Sequence, residues 1–496
     1  MKYILSLLIC CFLLLSCMDL EVENINDPDT SIVLDDPEGV KALSGGLFKQ
    51  WLNCGHDASY SGTSHTPAMA MWYMSDHGTT FWSNFAAVDY STEPRQAFVN
   101  DMSYSYWQIG PMYYRNVYDV LTTSTDVVDL LKANTDFYKN PEDYNMVLGM
   151  ALLAQGLSNG YLGLIFDKCF AIESAEDFNK TEFDKYDVLL ETGVSQLEEA
   201  IEIFDNSDFT IPGNWITGAT WSNNELAQLT HSMIARLLVY GSRNKQQNEG
   251  IDWDNVLHHT ENGIKEDFAP LGDGVKGSWK SYYYLRTADQ NWGKIDMRIV
   301  NMLDTRMPST FPESGLISDL PDDGVAISDD ARLATDFKYD PNNSKPERGY
   351  YRWTSYSYAR LDAYIENQGA NEFIPEFRLA ESELFQAEAL CHLKRYDEAA
   401  AIVNAGTRVT RGQLEPVGNT EQEIMDAIWY EQNIELLLSG FGIQYFSMRR
   451  HDMLQKGTFL HFPVPSQQLE LMGEDVYTYG GTEGVPGEDY SIGGWK

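Results

Sequence analysis

Basic residues are scarce in this sequence. Its 496 residues include 35 Lys and Arg against 74 Asp and Glu, which gives a formal net charge of −39 at pH 7. Proteins bind nucleic acids through clusters of Lys and Arg that neutralise the phosphates. We therefore exclude DNA and RNA as partners of so acidic a chain.

Cysteine is scarce as well, with six in the whole chain. Cys10 and Cys11 belong to the N-terminal leader, and no C-x-x-C or Cys/His cluster has the spacing of a zinc site. Cys54, Cys169 and Cys391 are too few and too far apart for a disulfide framework, so we expect them to be small buried side chains. We expect neither a metal site nor a cofactor.

The chain opens with a short apolar run, "MKYILSLLICCFLLLSC". Lys2 precedes thirteen nearly apolar residues, 3–15, which are too few to cross about 30 Å of hydrocarbon. Such a run is typical of the apolar region of a secretory signal. Ser16 followed at once by Cys17 resembles a bacterial lipobox, whose cysteine carries lipid after cleavage. We predict a signal peptide over 1–16 and a lipid anchor at Cys17; the alternative is an ordinary signal with a chance cysteine.

The rest of the chain divides into a tether and one domain. Residues 17–36 are acidic and contain Pro, which predicts a tether, and residues 37–496 are predicted to form a single α-helical domain. Helical periodicity recurs along that domain. The predicted helices cover about 37–53, 66–76, 105–132, 142–166, 183–204, 222–243, 252–265, 376–393, 395–410 and 421–438.

Several of these helices form pairs. In "FRLAESELFQAEALCHLKRYDEAAAIVNAG", two apolar faces flank a short turn, and Tyr396 stands where a tetratricopeptide pair holds its aromatic wedge. Trp253 has the same place in another pair, and 142–166 pairs more loosely with 183–204. The fold class predicted is therefore all-α, with tetratricopeptide-like helix pairs. Two long irregular segments, 77–104 and 266–375, are predicted to carry function, because long loops on a rigid scaffold commonly do.

The chain resembles the SusD/RagB family of nutrient-binding outer-membrane lipoproteins of Bacteroidetes. The resemblance runs along the whole chain, through the lipobox, "SYWQIGPMYYRNVYDVL", "MALLAQGLSNGYLGLIFDK", "IPEFRLAESELFQAEAL", "AIWYEQNIELLLSGFGIQYFSMRRHDML" and "FPVPSQQLEL". Two departures stand out. The family often has Asp-Pro-Arg where this chain has Asp330-Ala331-Arg332, and often an arginine near Gln155. These departures leave the expected fold intact and weaken inference of the ligand.

The resemblance implies that the protein captures a glycan without breaking a bond and passes it to a SusC-like TonB-dependent transporter. It also implies an outer-membrane location, lipid-anchored and on the cell surface. Three alternatives remain open: a peptide-binding relative with the same fold, a surface glycosidase, and a structural lipoprotein that binds no ligand.

Aromatic residues in the two loop segments are the candidate ligand contacts. A sugar ring presents an apolar face that stacks on an aromatic ring, and such rings are presented at low entropic cost. The candidates are Phe81, Trp82, Asn84, Trp279, Tyr283, Trp292 and Trp353. The alternative is that these rings pack the loops onto the helices. Trp107, Trp215, Trp253 and Trp429 stand at helical or connecting positions and are expected in the core or in wedge positions.

The sequence contains few signals of catalysis. Ser158 lies in "GLSNG", which matches the nucleophile elbow, but the surrounding sequence predicts a helix rather than a strand and a sharp turn. His258 and His259 are adjacent and cannot share a metal-binding face. Residues 319–330 have acids at calcium-loop spacing, but Pro321 replaces a ligand. We predict a binding protein and not an enzyme.

Overall fold

The computed structural model describes residues 33–56, 67–83, 86–341 and 353–494. The predicted signal peptide, Cys17 and most of the tether lie outside the described residues, as does Asn84.

Helices form most of the structure, and we number them in chain order. They are α1 (Pro37–His56), α2 (Pro67–Met74), α3 (Ala87–Ser91), α4 (Ile109–Ala133), α5 (Pro141–Ile165), α6 (Tyr186–Asp205), α7 (Asn223–Tyr240), α8 (Lys245–Glu249), α9 (Trp253–Glu261), α10 (Tyr282–Thr287), α11 (Met297–Leu303), α12 (Arg332–Asp336), α13 (Asp362–Glu366), α14 (Leu379–His392), α15 (Tyr396–Ala405), α16 (Thr407–Thr410), α17 (Glu421–Ile434), α18 (Ile443–Arg450) and α19 (Ser466–Met472).

Eight short strands join in antiparallel pairs. They are β1 (Gly78–Thr79) with β5 (Lys294–Ile295), β2 (Lys168–Cys169) with β3 (Asp184–Lys185), β4 (Leu271–Asp273) with β8 (Ala370–Phe373), and β6 (Phe337–Tyr339) with β7 (Tyr356–Tyr358). Five of these eight strands of the described residues lie in the predicted 266–375 insert. Within it β4 pairs with β8 and β6 with β7, whereas β5 pairs with β1 of the other irregular segment. The all-α prediction is confirmed for the scaffold.

Helix α5 is the centre of the core. Pro141 stands at its start, and the Asn140 side chain accepts a hydrogen bond from the Glu142 amide at 3.2 Å, a standard N-cap. Every residue from Met146 to Ile165 is buried. This helix is long and apolar enough to cross a membrane, but its apolar window is wholly buried inside the protein. It is therefore a core helix, packed between α1, α4, α6 and α7.

The helices stack in chain order, α4 on α5, α5 on α6, α6 on α7, then α9 and α14. Glycines bring α5 and α6 close: a Cβ on Gly193 would lie 2.7 Å from the Gly160 nitrogen and 2.8 Å from the Gly156 oxygen. Trp253 stacks on His392 with centroids 4.2 Å apart and planes 5° apart, which joins α9 to α14. Trp253 is buried, as predicted, but its ring contacts α14, which lies outside the predicted pair of α7 and α9.

Buried ion pairs connect helices of the second half to one another. Arg450 of α18 donates to both oxygens of Glu388 on α14, at 2.6 and 2.7 Å. Arg332 donates to both oxygens of Asp330 and of Glu431. The Asp330-Ala331-Arg332 departure therefore keeps its charged pair in a buried site.

The predicted helices are confirmed with ends shifted by a few residues, except that 395–410 is divided at Gly406 into α15 and α16. Gln155 fills the place of the arginine by donating from Nε2 to the Thr125 hydroxyl at 2.9 Å. Helix α18 was not predicted, because its sequence "IQYFSMRR" is buried on all sides and shows no amphipathic period. Cys54, Cys169 and Cys391 are buried free thiols, as expected.

Helix α4 separates the start of α1 from the 81–83 segment. Its 25 residues extend about 37 Å. Just beyond its C-terminal end, the Tyr138 hydroxyl donates to the Pro37 carbonyl at 2.8 Å, so the start of α1 lies there. Before its N-terminal end, the Tyr106 hydroxyl donates to the Ser83 carbonyl at 2.5 Å. The 81–83 segment and the tether's entry point thus lie at opposite ends of α4.

Candidate functional site

The two irregular segments of the sequence meet at the β1–β5 pair. Gly78 is opposite Ile295 and Thr79 is opposite Lys294. A Cβ on Gly78 would lie 1.7 Å from the indole nitrogen of Trp72, so only glycine lets β1 pass this close to α2. This pairing places the residues after β1 beside the residues before β5.

Trp82 and Trp292 are brought together by that pairing. Both rings are partly exposed, and their centroids are 5.7 Å apart with planes tilted by 45°. The Trp82 indole N–H donates to the Asn291 carbonyl at 2.9 Å, and the Thr80 hydroxyl donates to the Trp292 carbonyl at 2.7 Å. These two bonds fix the rings relative to each other, so the exposed aromatic surface is preformed.

Phe81 and Trp353 lie beneath the exposed rings. Their centroids are 4.1 Å apart, and Phe81 also contacts Trp82 with centroids 4.9 Å apart. Phe81 is 9% exposed and Trp353 is 3% exposed, so both support the surface rather than form it. We call Phe81, Trp82, Trp292 and Trp353 the aromatic cluster.

Two cations flank the aromatic cluster. The Arg286 guanidinium lies 5.1 Å from the Trp292 centroid, and the Lys294 ammonium lies 5.4 Å from the Trp353 centroid. Burial lowers the pKa of Lys294 to about 8. The cluster thus combines flat apolar rings with hydrogen-bond donors, although the protein as a whole is strongly acidic.

The structure brings four of the seven candidate residues together in the aromatic cluster. Trp279 and Tyr283 lie elsewhere and are 3% and 1% exposed. Tyr283 packs near His56, with centroids 6.1 Å apart, and the Trp279 carbonyl accepts the Asp273 amide at 2.9 Å. Tyr283 therefore packs the insert against α1, whereas the bond to Trp279 joins two parts of the insert itself. Lys294 was not among the candidates, although its place in "NWGKI" puts it two residues after Trp292.

Ser158 has the surroundings of a structural serine. It lies in the middle of α5, is fully buried, and its hydroxyl donates to the Ala154 carbonyl at 2.7 Å. A nucleophile elbow requires a strand followed by a sharp turn. The "GLSNG" segment therefore does not form one.

The acids of 319–330 are largely engaged with other groups. Asp322 pairs with Arg306 at 2.7 Å, and Asp330 pairs with Arg332 at 2.8 Å. His231 joins His258 and His259 in a cluster, with the Nδ1 atoms of His231 and His259 2.9 Å apart. Within the described ranges, no group of three or more His, Cys, Asp or Glu side chains is arranged to hold a metal ion.

The Trp residues expected in core or wedge positions divide into two groups. Trp215 and Trp253 are 5% and 6% exposed, whereas Trp107 and Trp429 are only partly buried. Trp107 lines a separate cavity at the start of α4.

Comparisons with known proteins agree with this architecture. Residues 238–482 match the model of the SusD family. A SusD superfamily protein from Bacteroides vulgatus superposes with a TM-score of 0.60 at 12% identity, covering 88% of this chain and 97% of the other. A SusD homolog from Bacteroides thetaiotaomicron gives 0.58 at 13% identity, covering 88% and 96%. A SusD-like carbohydrate binding protein from Bacteroides fragilis gives 0.55 at 12% identity, covering 84% and 86%. A search of curated protein sequences gave no match.

Proposed function

Because this chain belongs to the SusD family, we propose that it captures an oligosaccharide at the aromatic cluster and passes it to a SusC-like TonB-dependent transporter. In this proposal the mature protein is held at the outer membrane, on the cell surface, by lipid on Cys17. Capture takes place by binding alone, without bond cleavage.

The observation that carries the proposal is the exposed pair of indoles, Trp82 and Trp292. Two rings tilted by 45° form a shallow angled platform, which suits successive sugar units of a bent chain. The C–H face of each sugar would lie on an indole, where apolar surface is removed from water. Since the rings are fixed before the ligand arrives, little conformational entropy is lost on binding.

Polar groups around the platform supply partners for sugar hydroxyls. Asn291 is exposed beside Trp82, and Arg286 lies beside Trp292. A bound hydroxyl that loses water needs such a partner, since an unpaired buried hydroxyl is costly. The two cations would also attract a glycan that carries carboxylates, since hydrogen bonds between oppositely charged groups are strong.

Affinity electrophoresis tests this proposal. The soluble protein that begins after Cys17 is run through gels containing plant, host and microbial polysaccharides. We expect one class of glycan to retard it, and Trp82→Ala or Trp292→Ala to weaken retention at least tenfold, as for a central aromatic contact. Retention that is unchanged in both variants would show that the glycan binds elsewhere, and no retention by any glycan would favour peptide capture or a structural role.

Trp279→Ala is the matched control. Its ring is buried, so its loss is expected to lower the free energy of unfolding by about 3–5 kcal/mol. At a temperature where this variant is folded, we expect glycan retention equal to wild type. A separate co-purification with the co-expressed transporter tests the partner.

A further inference from the structure

A second cavity lies at the N-terminal end of α4, apart from the aromatic cluster. Its volume is about 690 Å³, within the usual range for ligand sites. None of the four residues of the aromatic cluster lines it. Its walls come from the start of α4, from the segment that contains Phe170 and Phe178, and from α19.

The walls of this cavity are mainly aromatic and aliphatic. Trp107, Tyr114, Tyr118, Phe170 and Ile172 are among its lining residues. A ligand that buries one large apolar side chain, such as Leu or Phe, in this cavity would gain about 1.5–3 kcal/mol. The cavity therefore favours a large apolar group.

The same walls are held rigidly by hydrogen bonds. The Tyr118 hydroxyl donates to the Phe170 carbonyl and accepts the Phe170 amide, both at 2.8 Å. Asp177 accepts the amides of Glu173 and Ser174 at 2.9 and 3.0 Å. The cavity is preformed, which lowers the entropic cost of filling it.

Gln467, Arg115 and the Tyr114 hydroxyl line the cavity and have hydrogen-bonding capacity that the described residues do not use. The Oε1 and Nε2 atoms of Gln467 are both buried and have no hydrogen-bond partner among the described residues. Arg115 lines the cavity, is exposed, and forms no ion pair with any side chain in the described ranges. The Asp177 carboxylate, by contrast, already serves two amides and lies 3.4 Å from the Lys180 ammonium.

Exposed apolar residues extend the cavity outward. Leu471 is 81% exposed and Phe178 is 41% exposed, and both line it. Large apolar side chains that stay exposed around a pocket are typical of a binding surface.

We propose that this cavity binds a peptide segment that inserts one large apolar side chain next to an acidic residue. One buried amide with a free donor and a free acceptor matches the C=O and N–H of a single peptide group. The Arg115 guanidinium matches a neighbouring carboxylate.

A sugar and an apolar side chain make different demands on the cavity. A buried sugar ring has several hydroxyls, each of which needs a hydrogen-bond partner. An inserted tryptophan or phenylalanine side chain needs mainly apolar walls, which the aromatic and aliphatic lining provides.

Ligand-observed NMR titration tests this proposal on the soluble protein. The probes are N-acetyl-Asp-Trp-amide and N-acetyl-Asp-Ala-amide. We expect only the tryptophan peptide to bind. Gln467→Leu and Arg115→Gln should each weaken it by about fivefold, as for the loss of one net hydrogen bond or charge pair.

Matched controls are available on the exposed helix surfaces. Gln422→Leu on α17 and Arg395→Gln before α15 remove the same groups elsewhere and should leave the affinity at the wild-type value. Equal binding of both peptides, no binding of either, or full affinity in Gln467→Leu would overturn the proposal. Melting curves by circular dichroism show that each variant is folded.

A second arm distinguishes two sources of the peptide. The same Asp-Trp peptide is offered with a free carboxylate in place of the amide. Binding that is at least tenfold tighter and lost in Arg115→Gln assigns the cavity to a peptide C-terminus. Equal affinity assigns it to an internal segment of a partner protein.

This inference stands apart from the proposed glycan capture. Gln467→Leu is expected to keep wild-type glycan retention in the electrophoresis experiment. Trp82→Ala is expected to keep wild-type peptide affinity. Each proposal can therefore fail without the other.

Discussion

Arg236 and Glu381 form a bidentate ion pair with no exposure to solvent. The guanidinium donates from Nε to Oε1 at 2.9 Å and from Nη2 to Oε2 at 2.7 Å, and both side chains are 0% exposed. Its remaining nitrogen donates to Glu376 at 2.9 Å. One arginine of α7 thus compensates two carboxylates at the start of α14 and just before it.

Arg236→Leu is expected to lower the free energy of unfolding by about 3–5 kcal/mol, because it leaves the buried Glu381 carboxylate unpaired and Glu376 with only His56 as its side-chain partner among the described residues. Urea denaturation measures this. Lys132→Ala is the control: its ion pair with Glu199 has side chains that are 46% and 40% exposed, so its loss should cost under about 1 kcal/mol. Similar losses in the two variants would contradict the prediction.

Gly193→Ala is expected to destabilise the protein by about 1–3 kcal/mol, because the added methyl meets the backbone of α5 at 2.7 and 2.8 Å, where nothing flexible can move aside. Thermal unfolding measures the change. At Gly46 in α1, an added methyl meets only the Gln50 amide nitrogen, at 3.7 Å. Gly46→Ala should therefore be neutral or stabilising by up to about 1 kcal/mol; the reverse order would refute this account of the α5–α6 contact.

The histidine cluster predicts a loss of stability in acid. Burial, together with the neighbouring histidines, lowers the pKa of His231 to about 4 and that of His259 to about 3; Asp205 raises and Lys265 lowers the pKa of His231. In the unfolded chain both titrate near 6.5. The unfolded state therefore binds more protons between these values, so stability is full above about pH 6.5 and falls as the pH drops toward 4.

His231→Gln tests that expectation, since the amide keeps a polar partner for His259 without titrating. The variant should lose roughly 1 kcal/mol less stability than wild type between pH 7 and pH 4.5, a figure reduced for partial exposure. Urea denaturation at the two pH values measures it. Parallel curves for the two proteins would show that the cluster does not contribute.

Cys17→Ala should move the protein from the membrane fraction to the soluble fraction, because several acyl chains hold a protein firmly and none would remain. Fractionation followed by immunoblotting measures this. Cys54→Ala, which changes a buried thiol, should stay with the membrane. Membrane retention of the Cys17→Ala protein would rule out the anchor.

The scaffold could be predicted from the sequence because its signals are local. Apolar spacing and the aromatic residue after a short turn predicted the α14–α15 pair and a second pair, α7 and α9, in which Trp253 begins the second helix; the contact of Trp253 with His392 on α14 was not predicted. Such patterns span a few helical turns, and each helix buries the face that its own sequence marks. The ends of helices shifted by a few residues where caps such as Asn140 decide them.

The candidate site depended on contacts that local patterns do not contain. Trp279 and Trp292 come from the same aromatic segment, yet only Trp292 joins the aromatic cluster. The difference arises from β5, which pairs with β1 far upstream in the chain. The contact of His231 with His259 was not predicted for the same reason, since His231 lies on α7 and His259 lies on α9.

The length of α4 has a mechanical consequence. The chain leaves its predicted tether at Pro37, beside the far end of α4, whereas Ser83 and the aromatic cluster lie near the other end. If the protein pivots at Pro37, the distance from the pivot to the aromatic cluster is about the 37 Å length of α4. A rotation of roughly 30° about Pro37 therefore moves the aromatic cluster by about 19 Å. Under the proposed lipid anchor and transporter partner, rotation of the whole protein at its tether would carry the aromatic cluster toward and away from the transporter.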